Sequence, residues 1–173
     1  MTIDTKDMLN SILSSISRID YVRPDDIPNI DLYMDQVTTF MEESLHSTKR
    51  YTDKGLASSK RHEDDKILTK TMINNYAKNN LLPPPVKKKY SKEHLLVMIF
   101  IYYFKNFLSI KDIETMLTPI TDKYFDTDKD FDITSIYKEV CELEKSRIPE
   151  FEKEIIRSYN TSKKCFVEVP EAR

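Results

Sequence analysis

Glycine is almost missing from this chain, with Gly55 its only example. A phosphate-cradling P-loop and a dinucleotide-binding fingerprint both need clustered glycines, so both are excluded. Turns and strands that depend on positive φ are also poorly provided for. That favours helices joined by breaks at Pro, Asn and Asp. Cysteine is scarce too: Cys141 and Cys165 form no CxxC pair and mark out no secreted disulfide scaffold. Two reduced thiols in the cytoplasm are the expectation. The strongest apolar run, Leu95 to Phe104, falls well short of the about 20 residues that a membrane span needs. The stretch from Met1 to Leu13 is polar and includes Asp4 and Asp7, unlike a signal peptide. No membrane association is therefore expected.

What is present suits a folded protein. A length of 173 residues fits one domain, or one compact unit with attached helices. Apolar residues make up 39% and charged residues 32%, enough for a real core beneath a heavily charged surface. The net charge of −2 hides a sharp asymmetry. Residues 66–92 carry seven lysines and no acid, while the segments on either side are net acidic. A local basic island in an acidic chain is an electrostatic footprint for a polyanion.

Apolar periodicity predicts a first helix over Lys6–Ile19, from Ile12, Ile16 and Ile19, with Pro24 and Pro28 breaking the backbone after it. A second helix is predicted from a cap at Asn29 or Asp31 to about Leu45, with Leu32, Tyr33, Val37, Phe40, Met41 and Leu45 on one face. Residues 46–66 are polar and read as a loop-like insertion. A short helix follows over Lys70–Asn79, with Met72, Ile73, Tyr76 and Ala77 inward and Asn74, Asn75 and Lys78 outward. Asn79-Asn80 supplies the stop, and Pro83, Pro84 and Pro85 forbid continuation. The segment Pro85–Tyr90 reads as extended and basic. Ser91 caps a helix to about Phe107 that is apolar nearly all round, the expected central core helix. Ser109 with Asp112 resembles a capping box opening another helix, whose inner face is Ile110, Ile113, Met116 and Leu117. Beyond Pro119 an acidic connector is expected over Asp122–Asp132. A long last helix should then cover Thr134–Tyr159, kinked or divided at Pro149.

The run from Ile67 to Leu117 resembles the MerR type of winged helix, which has a helix-terminal aromatic, a "kxGLLxP" break, a basic wing, a "YsxExL" helix start and an "LSIxxI" helix start. Tyr76 stands at the aromatic, and Asn80-Leu81-Leu82-Pro83 at the break, with Asn80 in place of glycine. Lys87 to Tyr90 stands at the wing. Ser91, Glu93 and Leu95 match the next start, and Leu108-Ser109-Ile110 with Ile113 the last. More narrowly, LYMDQV, ILTKTMINNY and LPPPVKKKYSKEHL are similar to a domain-of-unknown-function family of small proteins from low-GC Gram-positive bacteria. The resemblance implies a mainly α fold, a MerR-like winged helix-turn-helix with additional N- and C-terminal helices. Residues 1–27 would be an N-terminal helical segment, 28–120 the winged domain with its insertion at 46–66, and 121–173 the connector and C-terminal helices. One departure is the insertion itself, where a helix-turn-helix uses three or four residues.

The candidate site follows from residue chemistry. Asparagine suits bidentate pairing with adenine in the major groove, and lysine suits guanine or phosphate. Asn74, Asn75 and Lys78 lie together on the short helix. Thr69, Lys70 and Thr71 stand at its start, where backbone amides favour phosphate. Lys87, Lys88, Lys89 and Tyr90 follow three stiffening prolines, and each lysine that neutralises a phosphate adds roughly 0.9 to the salt slope of binding.

Other signals fail. Asp126, Asp128, Asp130 and Asp132 imitate a calcium loop, but Phe131 stands where its glycine belongs and Tyr137 where its glutamate belongs. His46, His62 and His94 form no metal array, so neither a metal nor a cofactor is expected. No carboxylate pair is marked out for acid–base work, and the chain does not read as an enzyme. Two functions stay open: a sequence-specific regulator of transcription on double-stranded DNA, a homodimer in the MerR manner, or a protein-interaction adaptor that kept the fold without the DNA. The C-terminal helix either pairs with its copy or folds back on its own core.

Overall fold

A computed structural model describes residues 5–16, 21–52, 67–127 and 130–165. Among these residues the chain is mainly α, with six α-helices and one two-stranded antiparallel sheet. The first helix, α1 (Thr5–Ile16), matches the expected start; residues 17–20, where it was expected to end, lie outside the described residues. Pro24–Asp26 form one 3-10 turn.

The second helix starts later than expected. Neither Asn29 nor Asp31 caps it, because Leu32 and Tyr33 are a strand, β1 (Leu32–Tyr33). Leu32 pairs with Tyr90 and Tyr33 with Lys89 of β2 (Lys89–Tyr90). The Gln36 side chain accepts the Tyr33 N–H at 2.9 Å, closing the step from strand to helix. Then α2 runs over Met34–Thr52, seven residues beyond the expected end at Leu45, so the first part of the polar 46–66 stretch is helix. Losing apolar residues does not stop a helix when no proline or glycine intervenes, and Gly55 is the first after Leu45. The remainder, 53–66, lies outside the described residues. Val37, Met41 and Leu45 bury the inner face of α2.

The chain is pinned again at Ile67. Glu42 on α2 accepts its N–H at 3.1 Å, and Lys105 Nζ donates to its carbonyl at 3.1 Å. From there α3 (Lys70–Lys78) lies against α2. The central helix is α4 (Lys92–Phe104), with every residue from His94 to Ile101 buried. It ends short of Phe107: the Phe107 N–H bonds the Phe104 carbonyl only three residues back, and the Asn106 side chain donates to the Tyr102 carbonyl.

In α5 (Ile110–Tyr124) the expected capping at Ser109 is present: its hydroxyl accepts the Asp112 N–H at 3.2 Å. The inner face is Ile113, Leu117 and Thr121, whereas Ile110 and Met116 are exposed, so the expected face is displaced. Pro119 does not end this helix. It sits on the exposed side, where solvent can satisfy the carbonyl that a proline leaves without its helical partner. The expected connector therefore begins only after Tyr124. The last helix, α6 (Ile133–Cys165), is 33 residues long and undivided at Pro149, which is likewise exposed. Ile133 and Tyr137 root it in the core, and the Tyr137 hydroxyl donates to the Val22 carbonyl at 2.8 Å. Its outer part lies along α1, with the Thr5 and Tyr159 hydroxyls 3.2 Å apart.

Candidate nucleic-acid interface

The candidate helix α3 is set from both ends. Thr69 Oγ1 accepts the Met72 N–H at 3.2 Å, an N-cap that satisfies one orphan donor. Ile73 and Tyr76 are buried, which turns Thr71, Asn74, Asn75 and Lys78 outward and leaves them exposed. The end is a Schellman motif. Asn80 takes φ 56°, its N–H reaches the Ala77 carbonyl at 3.4 Å, and the Leu81 N–H reaches the Tyr76 carbonyl at 2.9 Å. Asparagine thus does the work glycine usually does, and buried Leu81 and Leu82 anchor the exit.

After the prolines the backbone is not simply extended. Val86 and Lys89 exchange two hydrogen bonds, 2.9 and 3.1 Å, around Lys87 and Lys88. Both central residues have positive φ, 49° and 64°, the signature of a type I′ hairpin turn. Such turns prefer Asn-Gly. A lysine in this region costs about 1–2 kcal/mol. Lys87 and Lys88 are exposed at the tip, while Lys89 is half-buried with its ammonium 5.3 Å from the centre of the Tyr33 ring.

The two parts share one support. Lys70 at the start of α3 forms an ion pair with Asp35, and Lys89 rests on Tyr33, two residues earlier in the chain. The start of α3 and the hairpin therefore meet at the same strand-to-helix junction. Asp35 takes up part of the positive charge that the sequence assigned to Lys70. Tyr90 goes elsewhere. At 3% exposure it belongs to the core and stands edge-on to His94, with little surface for a phosphate.

His94, Tyr33, Gln36 and Asp35 were missed as parts of the site. His94 had a readable signal, since it occupies the third helical position after Ser91, where a capping box reaches back. It is 2% exposed between the Tyr90 and Phe125 rings, and burial pushes its pKa down. Cys141 is half-buried, and burial pushes its thiol up, away from the reactive thiolate. Among the described residues no group of three or more His, Cys, Asp or Glu is placed to hold a metal ion, and no helix is long and apolar enough to cross a membrane.

A family model described as a domain of unknown function, DUF1836, matches residues 22–140. The chain belongs to the DUF1836 family. The matched span takes in the sheet, α2 to α5 and the rooted end of α6, including both partners of the Val22–Tyr137 hydrogen bond. In this DUF1836 chain α1 and the outer part of α6 fall outside the family span. No curated protein and no solved structure matches the chain.

Proposed function

We propose that this DUF1836 protein is a cytoplasmic, sequence-specific double-stranded DNA-binding regulator of the MerR-like winged-helix type, a binding protein rather than an enzyme. The observation that carries the reading is that an outward, acid-free helix face and a lysine-tipped hairpin meet at one junction, Tyr33 to Asp35. On this reading Asn74, Asn75 and Thr71 meet base edges, with asparagine favouring adenine. Lys78 and the Thr69–Lys70 helix start meet backbone phosphate. Lys87 and Lys88 form the wing tip, and Lys89 reaches phosphate from beside Tyr33. A second copy of the chain covers α6 beyond Cys141, where Leu143 is 60% and Phe151 54% exposed.

Fluorescence anisotropy with a random duplex at about 50 and 200 mM salt tests it. Phosphate-dominated binding weakens steeply between the two. Lys87→Glu with Lys88→Glu should lower the salt slope by about 2, since each phosphate contact adds roughly 0.9. An unchanged affinity in that variant would overturn the reading. An adaptor without DNA is the second reading. It draws on the exposed apolar side chains of Ile30, Tyr33 and Val86 beside the same hairpin, and salt-insensitive behaviour or no duplex binding would favour it.

A further inference from the structure

The hairpin has two feet, Pro84 before it and Ser91 after it, and one buried side chain touches both. His94 Nδ1 accepts the Ser91 backbone N–H at 3.0 Å. The Ser91 hydroxyl lies 2.9 Å from the same nitrogen, and Nε2 lies 3.4 Å from the Pro84 carbonyl oxygen. With Nδ1 accepting, the single ring proton of the neutral imidazole sits on Nε2 and is donated to Pro84. A second proton would turn Nδ1 into a donor set against the Ser91 N–H.

We propose that neutral His94 is the positioning residue that holds the Lys87–Lys88 turn in its left-handed shape, and that protonating it releases the turn. Non-glycine residues at positive φ persist only where the surroundings over-determine them. Here the turn has its own two hydrogen bonds, two ladder positions with β1, and the imidazole joining its feet. The hydrogen bond to the Pro84 carbonyl, Glu93 on the same helix, Asp31 before β1 and Asp126 after α5 favour the charged ring, but burial outweighs them and lowers its pKa, so protonation acts on the clasp at its Ser91 foot. The other groups packed on it are the Tyr90 phenol, whose own pKa burial raises, and the uncharged Phe125 ring. At neutral pH the clasp is closed. The consequence for nucleic acid rests on the DNA reading, whereas the clasp itself does not.

The test is an amide NMR titration of the full chain, without DNA, from about pH 7.5 to about 5, bracketing the ordinary imidazole range. The amides of Val86 to Lys89 should move in one step with the His94 ring signals, at a midpoint below about 6.5, while the amides of α6 keep their positions. His94→Gln, whose side chain can still accept the Ser91 N–H, should abolish that step. Hairpin amides that ignore the His94 titration, or the same step in the variant, would overturn the proposal. If the variant does not fold, the wild-type titration decides alone. A duplex arm separates the two ideas: affinity should drop across the same step in the wild type but not in His94→Gln. Absence of duplex binding at every pH would sink the DNA reading and leave the amide result standing.

Discussion

Lys87 and Lys88 are the residues at which shape and charge pull against each other. Their left-handed backbone is unfavourable for lysine, yet it puts two ammonium groups at the tip of a tight turn. Replacing them with the preferred pair, Lys87→Asn with Lys88→Gly, should stabilise the fold by about 1–2 kcal/mol. The same change should weaken duplex binding and cut its salt slope; chemical denaturation and anisotropy read the two effects. A gain in both stability and affinity would contradict the role given to the lysines. His94 makes a second prediction at this scale. Its folded pKa is lowered, so the unfolded chain takes up the proton first. Its contribution is fully present above the unfolded value near 6.5 and is lost as pH falls through the folded one. Denaturation midpoints measured at steps across that window should fall with acidification, and more steeply in the wild type than in His94→Gln.

Among the elements, α3 depends most on its caps, being only nine residues long. Thr69→Ala removes the bond to the Met72 N–H and should cost about 1 kcal/mol. Asn80→Gly should be tolerated, since glycine accepts the left-handed stop, whereas Asn80→Val should lower the melting temperature by several degrees. Helix starts were legible because a cap is local: Ser91 and Ser109 stand where the sequence put them, and of Thr69 and Thr71, both near the start of α3, Thr69 is the cap. The start of α2 was not legible. Leu32 and Tyr33 become a strand only because Tyr90 and Lys89 lie beside them, a partnership between distant parts of the chain that no local pattern records. Helix ends were harder still. The chain continues past Leu45 for want of a breaker and through Pro119 and Pro149 because both face solvent. At the candidate site, exposure of Asn74, Asn75 and Lys78 followed from the periodicity of Ile73 and Tyr76. The burial of Tyr90 did not, because a strand end in a basic run gives no sign of which way its ring turns.

On the scale of the whole molecule, one continuous cluster runs from Val22 to Tyr137, with α4 at its centre. Substituting Ile99, fully buried in α4, with alanine should cost roughly 2–5 kcal/mol and destabilise every element at once. The proposed pairing between copies makes a different demand. Leu143→Glu with Phe151→Glu should leave the melting of the isolated chain nearly unchanged, because both side chains are exposed, while light scattering shows a monomer. A dimer surviving that change would place the second copy elsewhere.

The core grips only the first turns of α6. At 1.5 Å per residue its 33 residues make a rod about 50 Å long, and α1 leans on the part that extends beyond that grip. With few buried contacts to the core, the rod beyond that grip and its brace should open at lower cost than the centre. In the monomeric variant with Leu143→Glu and Phe151→Glu, hydrogen exchange should divide at about Pro149: amides beyond it open at low cost, and those around Ile99 exchange only when the whole chain unfolds.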